Sequence, residues 1–135
     1  MSFVLVPDIV SSKLLSGIKG DSLTDEDLLR IHATFGRTTF EALNLLEERA
    51  VTRDTAHSGR IIYRVNRKGD SVYCSKAAHF CACMQGTIFQ ASPLGRPWCS
   101  HLLTAALSDA LNRTQKNVVS DQALAHALEM LFQGA

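Results

Sequence analysis

The chain has 135 residues, 46% of them hydrophobic and 20% charged, with a formal net charge of +1. That composition excludes wholesale disorder and suits one compact domain, or a small helical part joined to a small metal-bound part. A near-neutral total also argues against an autonomous nucleic-acid binder, which concentrates basic charge on one face.

Residues 8–50 are predicted to be helical, and residues 1–50 carry five Lys/Arg against eight Asp/Glu. Val10, Leu14 and Ile18 recur at helical spacing, and Gly17 and Gly20 end that pattern. Thr24-Asp25-Glu26-Asp27 reads as an N-cap followed by acids that oppose the helix dipole. Leu28, Ile31, His32 and Phe35 share one face of this helix, and Gly36 suits its exit. On that face His32 is expected to be partly buried and hydrogen-bonded. Thr38 and Glu41 fit a capping box for the next helix, whose apolar face is read as Phe40, Leu43, Leu46 and Ala50.

From residue 51 the pattern becomes β-like. Val51–Asp54, Arg60–Val65 and Ser71–Cys74 are short runs separated by turn signals at Ser58-Gly59 and Lys68-Gly69-Asp70. Ile61, Tyr63 and Val65 would face one side of an antiparallel meander, with Arg60, Ile62 and Arg64 on the other. Residues 51–116 hold nine Lys/Arg against three Asp/Glu, which permits contact with a polyanion and equally fits a solvated strand face. After residue 96 helix is expected to return, with Pro97 in its first turn and Leu102, Leu103, Ala106, Leu107, Ala110 and Leu111 on its apolar face. A last helix begins near Ser120 with Leu124, Leu128 and Leu131 inward. Its end, Leu128 to Ala135, resembles a protease-cleavage linker but is read as a native helix end, and no function is assigned there.

The chemistry lies in Cys81-Ala82-Cys83, fifteen intervening residues, and Cys99-Ser100-His101. Zinc takes four thiolate or imidazole ligands in a tetrahedron, and three cysteines with one histidine is an ordinary structural set. Two cysteines at i and i+2 of an extended segment point the same way. Cys99 and His101 open a predicted helix, where free N–H groups favour thiolate charge. No segment reaches the ~20 apolar residues of a bilayer span. The start, Met1 to Val6, lacks the basic flank and length of a secretory signal. A reducing compartment is therefore expected for the cysteines, where metal binding is favoured over disulfides.

This C-x-C-x₁₅-C-x-H pattern, over roughly residues 58–112, resembles the SWIM zinc finger with its β-β-α arrangement. Together with the helical leader and short tail, the chain resembles the small SWIM subunits of the Shu complex, accessories of homologous recombination. The resemblance implies one structural zinc ion on Cys81, Cys83, Cys99 and His101. It further implies pairing with a RecA-fold recombinase paralogue, promotion of recombinase filaments on single-stranded DNA during DNA-damage repair, and a nuclear location. The expected fold is α+β: a helical part over residues 1–50, a SWIM-type finger over 51–116, and a C-terminal helix or tail over 117–135. The rival reading is a free-standing DNA-binding finger acting in transcription or chromatin.

Other residues carry plainer readings. Cys74 is expected to be a buried core residue and not a substitute ligand, and His79 an ordinary surface histidine, the alternative being that it completes the metal site or hydrogen-bonds to a liganding sulfur. Trp98 is expected to cover the metal, the alternative being a surface for a partner or a base. Arg60, Arg64, Arg67, Lys68 and Lys76 are candidates for phosphate contact. The chain has no H-E-x-x-H, Walker loop, G-x-S-x-G or G-x-G-x-x-G, and no deaminase pairing of His-x-Glu with C-x-x-C, so a binding module is expected and not an enzyme.

Overall fold

The computed structural model describes residues 4–6, 13–18, 20, 22–84 and 96–133. Val10 of the predicted first helix, residues 85–95 between Cys83 and Cys99, and Gly134-Ala135 lie outside these residues. A short strand, β1 (Val4–Val6), precedes a helical turn, α1, at residues 13–16. Next come α2 (Asp25–Phe35) and α3 (Thr38–Glu47). Strands β2 (Val51–Ala56), β3 (Ile61–Arg67), β4 (Asp70–Ser75) and β5 (Phe80–Cys81) follow, ending in a 3₁₀ turn at Ala82–Met84. The remainder is β6 (Arg96–Trp98), α4 (Ser100–Ala110), β7 (Gln115–Val119) and α5 (Asp121–Gln133). The fold is α+β, and among the described residues no helix is long and apolar enough to cross a membrane.

The predicted meander is present: β2, β3, β4 and β5 pair antiparallel in sequence order. Gly59 and Gly69 sit at φ +90° and +87° in the two hairpin turns, a region that only glycine enters without cost. Strand β7 adds in parallel beside β2, giving the order β5-β4-β3-β2-β7. A separate two-stranded ribbon joins β1 to β6, with Val4 opposite Trp98.

Alternation along the strands gives the sheet two apolar faces, each covered by helix. Val51, Tyr63, Val65, Cys74 and Cys81 face α2, α3 and α4, where Ile31, Phe35, Leu46, Leu103 and Leu107 complete the main core. Ala56 and Ile62 face the other way, onto Leu124, Ala127 and Leu131 of α5. Helix α4 is buried along nearly its whole length, Ser100 to Ser108, because it lies between the sheet and α3.

Several expectations need correction. The capping box expected at Thr38 is absent: Arg37 is the N-cap of α3 without a side-chain bond, and Glu41 instead pairs with Arg67 on β3. Ala42, Leu45 and Leu46 bury α3, while Phe40 is 59% exposed, so the helix is rotated from the predicted face. His32 is exposed, not part-buried, and its ring rests 5.1 Å from that of Phe40. Pro97 lies in β6, and α4 starts three residues later, because β6 must first pair with β1. The α2 signals hold: Thr24 forms a full capping box with Asp27, and the helix exits at Gly36.

Candidate metal centre

Cys81 ends β5 on the sheet face that looks at α4. Its directly opposite neighbour on β4 is Cys74. The strand stops there, and the following 3₁₀ turn carries Cys83, so the two cysteines converge through a turn and not through strand alternation as expected. On the other side, Cys99 is the N-cap of α4 (φ −97°, ψ 169°), and its Sγ accepts the Leu102 N–H at 3.4 Å. His101 follows in the first turn, 1% exposed, with Nδ1 3.6 Å from Cys81 Sγ.

One ligand atom from each of Cys81, Cys83, Cys99 and His101 lies within 4.8 Å of all the others. A tetrahedron with zinc–sulfur bonds of about 2.3 Å puts its sulfurs roughly 3.8 Å apart. The cluster is therefore within about an ångström of the ligand spacing a zinc ion imposes, and a Cys₃His cluster of this kind fits a zinc finger. Among the described residues no other set of three such side chains converges.

The electrostatics favour a cation. The thiols of Cys81 and Cys83 hydrogen-bond to Cys99 sulfur and hold its thiol far below the ordinary range, against the effect of burial. His101 and the Leu102 amide act in the same direction. Cys81 is pushed up, first by its contact with Cys74 and then by Cys99 and burial. Cys83 is pushed up by Cys81, Cys99 and burial. Negative charge thus collects on Cys99 at a helix N-terminus.

The surrounding residues sort clearly. Cys74 is fully buried and touches Cys81 but stands outside the four-atom group, in keeping with a core role. His79 is half-buried, not an ordinary surface residue, and its ring meets Trp98 edge-on at 4.6 Å. Trp98 is buried between His79 and Phe35, the latter 5.2 Å away, so it is packing and not a platform for bases. Its position beside Cys99 closes the core next to the cluster.

Three of the candidate phosphate contacts already hold acids. Arg64 binds Asp54 at 2.6 Å, Arg67 pairs with Glu41, and Lys76 meets Asp109 at 2.7 Å. Arg60 and Lys68 are exposed. A network missed in the sequence anchors the far end of α4: Asp109 accepts bonds from Tyr63 Oη at 2.5 Å, Lys76 and Thr114. Burial and Asp109 raise the Tyr63 phenol to about 12. Nothing in the spacing of these residues marks them, because they meet only through the fold.

No protein-family model matches the chain, and no solved structure gives a significant match. Curated relatives do match. Over 110 residues the chain is 32% identical to the Danio rerio protein named zinc finger SWIM domain-containing protein 7, covering 78% of this chain and 76% of that one. The mouse protein of the same name is 29% identical over 130 residues, covering 93% of this chain and 86% of the relative. The human one is 28% identical over 127 residues, covering 93% and 91%.

Proposed function

The chain belongs to the SWIM-domain zinc finger proteins, and from that premise we propose that it is a zinc-held accessory subunit of homologous recombination. In this reading Cys81, Cys83, Cys99 and His101 hold one structural zinc ion. When bound, the ion supplies a cross-link between the edge of the sheet and the start of α4 and neutralises thiolate charge. The observation that carries the reading is the convergence of those four ligand atoms, in a chain that aligns over most of its length with SWIM-domain relatives.

Four protein ligands leave no position for an activated water, which supports a binding module and not an enzyme. The module pairs with a RecA-fold recombinase paralogue in the nucleus, and the pair promotes recombinase filaments on single-stranded DNA. Any contact with DNA is made jointly with that partner. The engagement of Arg64, Arg67 and Lys76 with acids weakens the rival reading of a free-standing DNA-binding finger.

The test is genetic. Cells lacking the chain should form fewer recombinase foci after DNA breaks. Wild-type chain should restore them, and Cys99→Ala should not. Unchanged foci in the deleted cells would remove the recombination role and leave only the zinc module.

A further inference from the structure

Helices α2 and α3 meet in a groove of about 460 Å³ that the described residues leave uncovered. Its walls are Leu28, Leu29 and His32 from α2, and Thr39, Phe40 and Leu43 from α3. Leu29 is 72% exposed and Phe40 59%, two large apolar side chains held in water on facing helices. The other strongly exposed apolar residues differ. Phe132 stacks on Phe80 at 5.4 Å, and Val118 stands on the outer strand β7.

The groove is built and not incidental. Thr39 Oγ1 donates to the Ile31 carbonyl at 3.3 Å and ties the two helices together. Beneath them α3 packs along α4. Phe35, Ala42 and Leu45 are buried below, so the walls rest on the main core. A preformed apolar groove loses little freedom when it is filled.

Its shape and charge specify the occupant. The helices have 11 and 10 residues, about 15 Å each, the length of a partner helix of roughly ten residues. Of the three acids that open α2, Glu26 is engaged by Arg30 and Asp27 by Thr24. Asp25, which borders the groove, has no ion pair among the described residues. An apolar stripe with a basic residue at one end complements that arrangement.

Resting on the pairing proposed above, we propose that this groove receives one amphipathic helix of the RecA-fold partner, its apolar stripe over Leu29 and Phe40 and a Lys or Arg facing Asp25. A few residues packed near the centre of an interface carry most of its energy.

The experiment co-expresses the zinc-loaded full chain with each RecA-fold recombinase paralogue of the same organism and measures co-purification and affinity. Leu29→Glu and Phe40→Glu should weaken pairing by about tenfold or more while keeping zinc content and melting temperature. Asp25→Lys should weaken it less, and Val118→Glu should leave it unchanged. Pairing by the wild type that survives Leu29→Glu and Phe40→Glu overturns the groove assignment and leaves the proposed function intact. Failure of the wild type to pair with any paralogue overturns both. A wild-type chain that dimerises alone, and becomes monomeric in Leu29→Glu, assigns the groove to a second copy and overturns the inference.

Discussion

Cys74 and Cys81 are direct cross-strand neighbours, yet only Cys81 belongs to the converging group. Replacing them separates packing from ligation. Cys74→Ala should keep its zinc and lose about 1 kcal/mol of stability, the scale of one buried heavy atom. Cys81→Ala should lose both metal and fold, because ligation and folding are coupled in structural sites. Metal analysis with thermal melting of both variants checks this, and zinc loss in Cys74→Ala would move the ligand assignment. Tyr63 supplies a pH-dependent case. Its folded-state value of about 12 exceeds the ordinary 10.0, so the protonated phenol is favoured by folding. Its contribution is present below pH 10 and lost as the pH rises through about 12. Asp109 behaves oppositely: burial raises its carboxyl, but bonds from Lys76, Tyr63 and Thr114 outweigh burial and lower it below 3.8. Its contribution is present above 3.8 and lost as the pH falls through the lower folded value. Tyr63→Phe should cost about 1–2 kcal/mol at neutral pH. It should also flatten the alkaline loss relative to wild type, as urea titrations at pH 7 and 11 would show.

Helices α2 and α3 separate what a local signal fixes from what packing fixes. The box at Thr24 forms because both its bonds close within three residues, a range at which sequence spacing is decisive. The same pattern at Thr38 fails because Thr38 is buried inside the helix start, and Glu41 finds Arg67 on β3. Thr24→Ala should therefore destabilise by about 1 kcal/mol. Thr38→Val should be neutral or stabilising, because Thr38 Oγ1 is buried without a hydrogen-bond partner among the described residues. Equal losses in a denaturant titration of both variants would contradict this difference. The strands divide in the same way. Hairpins β2 to β4 were legible from alternation and glycine turns. Strand β7 was not, because its residues are mostly exposed and it is held by main-chain pairing with β2, about 60 residues earlier. The converging cluster was legible as four residues and two flanking elements. The turn that swings Cys83 back was not, since it breaks the strand geometry on which the spacing argument relied.

At the scale of the molecule, the cluster joins the edge of the sheet to the first turn of α4. Strand β5 has two residues and lies at the edge of its sheet, yet it carries Cys81. Helix α4 fills the middle of the main core and presents Cys99 and His101 at its first turn. A metal bridging them fastens a weak edge to the most buried helix, which is how a chain of this size supplements a modest core. It would also steady α4, the platform on which α3, and through α3 the exposed groove, is packed. The account therefore stands or falls on the metal. The most direct measurement is the zinc content of the full chain purified without added metal, read beside its melting curve before and after a strong chelator. One equivalent of zinc, removed by the chelator together with cooperative unfolding, is the expected result. Less than about half an equivalent in a chain that melts cooperatively, and melts no differently with chelator, would contradict it.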